Sequence, residues 1–231
     1  MNPPAQIPLD LLHRAAMGAA DFLVAPCNRD AVAWLDRWPG WPTPALVVHG
    51  AEGCGKTHLT HVWQAQSGAV AIDRLALTTD SVPHLLGDAV ACFVEDADRG
   101  FDEEAVLHLY NLLAERGGHL LLTARGPVSH WGIALPDLSS RLTAAMSVAV
   151  GAPDDELIAG ILIKHFMDRQ IRVDPAVVTY LLGRMERSFA TARRVVAALD
   201  KAGLAEKRGI TVPLARDVLQ RLDIESQGRE D

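Results

Sequence analysis

Short runs of consecutive apolar residues recur through the first 150 positions of the chain. Strands buried on both faces of a parallel sheet show this continuous pattern, whereas strands with one face in water alternate apolar and polar residues. We therefore predict five parallel strands in the runs ALVVHG (45–50), AVAI (69–72), AVACFVE (89–95), HLLLTA (119–124) and MSVAV (146–150).

Helical segments such as KTHLTHVWQAQ and EEAVLHLYNLLAER lie between these runs. Alternation of strands and helices predicts an α/β fold with a doubly wound parallel sheet. After Gly151 the pattern becomes helical throughout, with prolines at or near the predicted helix starts. We predict a leader over residues 1–20, an α/β domain over 21–151 and a small helical domain over 152–231.

Composition narrows the classes of function. The net charge of −7 disfavours a protein whose main contact is a nucleic-acid backbone. The isolated cysteines Cys27, Cys54 and Cys92 predict neither a disulfide framework nor a zinc site, and the nine histidines form no H-E-x-x-H pattern. The start of the chain has no signal-peptide pattern, and the longest apolar helical run, LIAGILI, is too short to span a bilayer. We expect a cytoplasmic protein with no membrane contact.

The segment GAEGCGKT at 50–57 matches the phosphate-loop pattern G-x-x-x-x-G-K-[ST]. It follows a predicted buried strand and opens an amphipathic helix, which is the structural context that the pattern requires. Glycines allow the backbone to approach phosphate oxygens, the lysine supplies a cation, and the threonine hydroxyl is a magnesium ligand. The predicted nucleotide-binding residues of this loop are Gly50, Ala51, Glu52, Gly53, Cys54, Gly55, Lys56, Thr57 and His58.

Polar residues end two of the other predicted strands. In ACFVED, Glu95 is the candidate second magnesium ligand and Asp96 the candidate for polarising an attacking water. The alternative is that both carboxylates only cap the helix that begins near Asp102. Thr123 ends LLLTA, where its hydroxyl could contact a γ-phosphate or a water, and a purely structural role is equally favoured.

Arg141, in LPDLSSRL, lies just before the last predicted strand, at the edge of the sheet. From an edge, an arginine reaches a neighbouring molecule's nucleotide more readily than its own. Such an arginine finger accelerates phosphoryl transfer by about 10³- to 10⁵-fold. The alternative is an exposed salt bridge, which would contribute little.

Taken together, DFLVAPCNRDAVAWL, GCGKTHL, FVEDAD, LLLTAR and LPDLSSRL resemble the AAA+ ATPases of the DnaA/Hda family, and more closely the Hda-type regulatory inactivators. The resemblance covers almost the whole chain and implies an AAA+ fold with a five-stranded sheet and a helical lid. It also implies that Phe22, Leu23, Val24 and Asn28 lie beside the adenine and ribose. From the residues alone, these positions predict only an apolar turn that leads into a helix. The bound nucleotide would be ADP or ATP with magnesium.

The leader contains QIPLDL at 6–11, which is similar to the peptide by which bacterial replication proteins, Hda-type proteins included, dock on the β sliding clamp. Gln6 would form a hydrogen bond at the pocket mouth, and Ile7, Leu9 and Leu11 would supply the apolar contacts. The chain ends shortly after the lid, without the DNA-reading helix-turn-helix of an initiator. We therefore expect DNA to be met indirectly, through the clamp.

Two departures from the family pattern affect the expected chemistry. The strand end reads Glu95 then Asp96, whereas the commoner order begins with Asp, and the shorter second carboxylate puts the chain's own ATP turnover in doubt. In the lid, Ala190 falls near the position where relatives place an arginine against the nucleotide. Arg193 is our choice of substitute, with Arg187 as the alternative.

These observations predict a negative regulator of replication initiation that binds the clamp and presents Arg141 to ATP held by a DnaA initiator. One rival is an autonomous AAA+ ATPase, such as a helicase loader, in which Arg141 serves the next copy of a homo-oligomer. Another is a binding module in which nucleotide only stabilises the fold. ATP turnover by the pure protein that is lost in Lys56→Ala favours the first rival, and an Arg141→Ala variant with full function favours the second.

Overall fold

The computed structural model describes residues 23–206 and 208–227 of the chain, with side chains to Leu222. The sequence-based predictions at Gln6, Ile7, Leu9, Leu11 and Phe22 lie outside the described residues. The described chain divides into two compact units after Gly151.

The first unit contains a parallel sheet in which all five predicted strands are present. Its order is β2-β3-β4-β1-β5, so β5 lies at one edge. The strands are β1 (Ala45–His49), β2 (Val70–Ala71), β3 (Ala91–Val94), β4 (His119–Ala124) and β5 (Met146–Ala149). The predicted α/β fold is confirmed. The bounds of β4 are those predicted, and the other four strands are shorter than their apolar runs by one to three residues.

Helices cover both faces of this sheet, which is why its central strands are mostly apolar. All residues of β3 and β4 are buried. The helices are α1 (Arg29–Asp36), α2 (Lys56–Ser67), α3 (Val82–Leu86), α4 (Glu103–Glu115) and α5 (Pro136–Ala144), with 3₁₀ turns at Ala97–Arg99 and Val128–His130. One hydrophobic cluster contains α1, α2 and the tryptophans Trp41 and Trp63, and the other contains buried residues of α3, α4 and α5.

The second unit is a helical bundle of α6 (Asp155–Asp168), α7 (Pro175–Leu182), α8 (Phe189–Glu206) and α9 (Val212–Gln227). Asp154 caps α6 by accepting a hydrogen bond from the Leu157 N–H at 2.8 Å. Asp174 caps α7 in the same way, by accepting a hydrogen bond from the Ala176 N–H at 2.8 Å. Each cap satisfies a backbone donor that the helix start leaves unpaired, which is worth about 1 kcal/mol. The fully buried Phe166 and Leu199 lie in its core.

No described helix is both long and apolar enough to cross a membrane.

Candidate nucleotide-binding site

The phosphate loop leaves the carboxyl end of β1 between the ends of β4 and β5. The Gly50 N–H donates to the Ala124 carbonyl at 3.1 Å, and the Val150 N–H donates to the His49 carbonyl at 2.7 Å. A Cβ atom at Gly50 would lie 2.3 Å from the Val150 carbonyl oxygen, so only glycine permits this close approach. The loop is therefore anchored to both neighbouring strands before its backbone turns toward α2.

The loop backbone ends at the start of helix α2. Gly55, the N-cap of α2, has φ 101°, a conformation that favours glycine. Among the described residues no side chain caps α2, and its first turn carries no acidic residue. The first backbone N–H groups of any helix have no partner within that helix. Together with the positive end of the helix dipole they make a site for an anion such as phosphate.

The Lys56 ammonium lies inside the loop. Lys56 is buried, and its Nζ donates to the carbonyl oxygens of Gly50 at 2.7 Å and Ala51 at 2.9 Å. These bonds satisfy a charge that would otherwise be costly to bury. Thr57 and His58, by contrast, are exposed on the first turn of α2. The cation is thus held within the loop, while Thr57 is accessible to solvent.

This cation affects its neighbours. Burial and the nearby Lys56 charge both lower the pKa of His49 below its ordinary 6.5. Burial raises the pKa of the Cys54 thiol, and Lys56 acts in the opposite direction. Because burial is the larger cause, Cys54 is a buried neutral thiol, and a small side chain is what this position of the loop requires.

The strand end at Glu95 and Asp96 separates the two carboxylates. The Oε1 atom of Glu95 is buried and has no hydrogen-bond partner among the described residues. Asp96 has a left-handed backbone, with φ 52°, and its carboxylate forms an ion pair with Arg99 at 3.4 Å. The candidate water-polarising group is therefore engaged by a cation, whereas Glu95 has acceptor capacity to spare.

Magnesium fits the residues present. It binds few protein ligands, keeps several waters and is completed by substrate phosphates. The unpartnered Glu95 oxygen and the exposed Thr57 hydroxyl are both hard oxygen donors of the type that this ion prefers. Among residues 23–206 and 208–227, no group of three or more His, Cys, Asp or Glu side chains could hold a metal by itself.

Thr123 joins the ends of β3 and β4. Its hydroxyl is buried and accepts a hydrogen bond from the Asp96 N–H at 3.2 Å. The hydroxyl proton is still available to donate to a phosphate oxygen or a water. The structural and the functional interpretation of Thr123 are thus compatible, because the same hydroxyl can accept the Asp96 N–H and donate its proton to a ligand.

Arg125 is a residue at this site that the sequence analysis missed. The Arg125 guanidinium forms an ion pair at 2.6 Å with Glu52 of the phosphate loop. The backbone N–H of Arg125 donates to the Asp98 carboxylate at 3.0 Å. The only signal in the sequence was its place two residues after Thr123, since Glu52 is 73 positions away. Arg125 connects the phosphate loop with the segment that follows β4.

The turn before α1 lies beside the end of β5, because the Gly151 N–H donates to the Cys27 carbonyl at 2.8 Å. Within this turn, the Asn28 amide accepts from the Ala25 N–H at 2.8 Å and donates to the Leu23 carbonyl at 3.0 Å. Leu23 is buried and Val24 is half-buried. The turn is therefore near the phosphate loop, and the Asn28 side chain organises its backbone.

Arg141 lies in the last turn of α5, which ends at Ala144, just before the edge strand β5 begins at Met146. It is exposed, and its Cζ atom lies 5.5 Å from the centre of the Tyr110 ring. Among the described residues Arg141 forms no ion pair. The surface salt bridge considered as the alternative is absent from the described part of the chain.

In the helical unit, Arg187 and Arg193 differ. Arg187 forms two hydrogen bonds with Asp155, from Nε to Oδ1 and from Nη2 to Oδ2, and this contact lowers the pKa of Asp155. Arg193 is exposed on α8 and forms no ion pair with a described residue. Of the two, Arg193 is the cation available to a ligand.

Comparison with solved structures defines the fold as that of the AAA+ ATPases. Domain III of the Thermotoga maritima replication initiation protein DnaA superimposes with a TM-score of 0.74 at 17% identity, over 87% of this chain and 94% of that domain. AMPPCP-bound DnaA from Aquifex aeolicus gives a TM-score of 0.63 at 17% identity, over 80% of this chain and 64% of that one. The Thermotoga maritima RuvB Holliday junction branch migration motor gives a TM-score of 0.67 at 13% identity, over 84% of this chain and 69% of that one.

The helical unit carries a more specific likeness. Residues 154–219 match the family model described as Hda, lid domain. This match includes Arg187 and Arg193 and begins at the residue that caps α6. The chain thus combines an AAA+ fold with a lid similar to that of Hda proteins.

Proposed function

We propose that this protein is a cytoplasmic negative regulator of replication initiation, which promotes hydrolysis of ATP bound to a DnaA-type initiator. It binds ADP or ATP at the phosphate loop and inserts Arg141 into the initiator's nucleotide site. The Hda-type lid and the DnaA-like fold support this assignment. The observation that carries the proposal is that Arg141 is exposed and has no ion pair among the described residues. An arginine finger needs this freedom, because its side chain must extend into the nucleotide site of another molecule.

In its own site the chain would hold nucleotide more readily than hydrolyse it. Lys56, the backbone N–H groups at the start of α2, Thr57 and Glu95 would bind the phosphates and a magnesium ion. When bound, magnesium neutralises charge on the phosphate oxygens. Asp96, however, is paired with Arg99 and lies in a left-handed backbone, which turns the second carboxylate away from the task of polarising water.

The leader would bring this activity to DNA. By its likeness to clamp-binding peptides, QIPLDL would dock on the β sliding clamp through Gln6, Ile7, Leu9 and Leu11. Replacing both Gln6 and Leu9 with Ala is expected to weaken clamp affinity by at least about tenfold, since one hydrogen bond and one buried leucine are lost. Surface plasmon resonance on immobilised clamp measures the change. Unchanged affinity would exclude this role for the leader.

The decisive experiment measures hydrolysis of labelled ATP preloaded on the initiator, with clamp-loaded DNA present. The unaltered protein is expected to stimulate hydrolysis, and Arg141→Ala to lose the stimulation by about 10³-fold or more, the lower range for arginine fingers. Arg37→Ala is the matched control, because Arg37 is also exposed and also lies over an aromatic ring, that of Trp34, at 4.6 Å. It should stimulate as well as the unaltered protein.

Either of two results would overturn the proposal. Full stimulation by Arg141→Ala would show that this arginine does not act on the partner's nucleotide. Absence of stimulation by the unaltered protein, combined with ATP turnover that Lys56→Ala abolishes, would identify an autonomous ATPase instead.

A further inference from the structure

Helix α5 has no N-cap of its own. Leu135 occupies the N-cap position and Pro136 the first helical position, and no side chain from either accepts a backbone hydrogen bond. Glu103 of α4 acts as the cap instead, although it is distant in the sequence. Its Oε1 accepts a hydrogen bond from the Ala134 N–H at 3.0 Å, and its Oε2 accepts one from the Leu135 N–H at 2.6 Å. A carboxylate here also interacts favourably with the positive end of the helix dipole.

Helix α4 contacts the other end of α5 as well. Two turns after Glu103, the Tyr110 ring faces the Arg141 guanidinium at 5.5 Å, which is within the range of a cation–π contact. Tyr110 is buried, and so are Leu138 and Leu142 of α5, which belong to the same hydrophobic cluster. The ring is thus rigidly placed, whereas the guanidinium is exposed.

Two further contacts join the connection between β4 and α5 to the segment that precedes α4. The Arg125 N–H donates to Asp98 at 3.0 Å, and Trp131 packs edge-to-face on Phe101 with ring centres 6.3 Å apart. The α4 region therefore contacts α5 at three places. Glu103 binds its N-terminus, the hydrophobic cluster packs against its buried face, and the Tyr110 ring lies against Arg141.

From this arrangement we propose that Glu103 and Tyr110 are positioning residues for Arg141: Glu103 sets the start of α5 and Tyr110 orients the guanidinium toward the partner. The proposal rests on the function proposed above, in which Arg141 acts on a partner's ATP. A finger must meet the transferred phosphoryl group within a few tenths of an ångström, and a misplacement of about 1 Å can cost about 100-fold in rate. Neither residue touches nucleotide in this scheme.

The test measures stimulated ATP hydrolysis by the ATP-bound initiator while the concentration of this protein is varied. Glu103→Ala is expected to lower the maximal stimulated rate by about 10-fold to 100-fold. Tyr110→Leu is expected to lower it by about two- to fivefold, the loss of one exposed cation–π contact. The half-saturating concentration should change little in either case, because the surface that binds the partner is retained.

Conservative and neighbouring variants separate positioning from general damage. Tyr110→Phe keeps the ring and should restore the full rate, and Glu103→Gln keeps one acceptor oxygen and should restore part of it. Glu104→Ala removes an exposed carboxylate from the same first turn of α4 and should have no effect on the maximal rate. Thermal unfolding checks that each variant is folded.

A second readout does not depend on the partner. Amide hydrogen exchange at Ala134 and Leu135 should accelerate in Glu103→Ala and not in Glu104→Ala, and the Arg141 Nε–H resonance should shift in Tyr110→Leu and not in Tyr110→Phe. Unaltered exchange in Glu103→Ala, or a full maximal rate in both Glu103→Ala and Tyr110→Leu while Arg141→Ala is inactive, would overturn the positioning role. Activity in Arg141→Ala would instead overturn the proposed function.

Discussion

The phosphate loop and helix α5 each carry a candidate functional cation, and the two cations lie in opposite environments. Lys56 is buried and donates to two loop carbonyls, whereas Arg141 is exposed and lies over one aromatic ring. A buried, hydrogen-bonded cation is fixed for a ligand that enters the loop. An exposed one is available to a ligand outside the chain, so the difference in burial supports the proposal that Lys56 acts on the chain's own nucleotide and Arg141 on a partner's.

The sharpest way to break this comparison is to remove each cation in turn. Lys56→Ala is expected to weaken binding of ATP to this chain by at least about 30-fold, as is usual for truncating a buried charge that bonds an oppositely charged ligand. Arg141→Ala should leave that affinity within about twofold, because the exposed arginine does not serve the chain's own site. Fluorescent-nucleotide titration measures both. Equal losses in the two variants would show that both cations serve one site.

The tightness of the phosphate loop predicts a stability effect. Gly50→Ala places a Cβ 2.3 Å from the Val150 carbonyl oxygen and should lower the free energy of unfolding by about 1–3 kcal/mol. Gly126→Ala is the control, because its Cβ would meet His130 at an ordinary 3.5 Å. Urea denaturation compares them. Similar midpoints for the two variants would mean that the loop can shift away from β5.

The pair of Asp96 and Arg99 predicts a small effect on the chain's own chemistry. Arg99→Ala releases the Asp96 carboxylate, so intrinsic ATP hydrolysis should rise, by no more than about fivefold, because an exposed ion pair is worth about 0–1 kcal/mol. Single-turnover hydrolysis of bound ATP measures this rate. A lower rate in Arg99→Ala would indicate that Arg99 itself supports the reaction.

The smallest effect concerns acid stability near the loop. The pKa of His49 is lowered by burial and by Lys56, so in acid the unfolded chain takes up this proton before the folded chain does. The stabilisation is present above the ordinary His pKa of 6.5 and is lost as the pH falls through the lower folded pKa. His49→Gln should therefore slightly flatten the decline of the unfolding free energy below about pH 6.5, and the effect is small because solvent screens a partly exposed site.

The control for this measurement is His130→Gln, an exposed histidine of the same unit. His119 and His165, whose pKa values burial also lowers, continue to titrate in both variants and contribute to the remaining slope. Equal slopes in His49→Gln and His130→Gln would contradict the assigned effect of burial and Lys56.

Much of the fold could be read from the sequence, because its signals are local. Strands buried on both faces require consecutive apolar residues, and the phosphate loop requires its glycines and lysine at fixed spacing. Both were found where predicted, in β1 and at the start of α2. The place of Arg141 just before the edge strand in the chain was predicted in the same way.

The sequence by itself thus determined the class of fold, the loop that holds phosphate and the lid that follows, since each depends on neighbours within a few residues. The tertiary structure alone decided which distant groups the charged side chains contact. Glu103 meets Leu135 across 32 positions and Arg125 meets Glu52 across 73, and no periodicity along the chain records such partners. The availability of a cation depends on which distant groups folding places within hydrogen-bond distance, so the contrast between Lys56 and Arg141 became visible only in three dimensions.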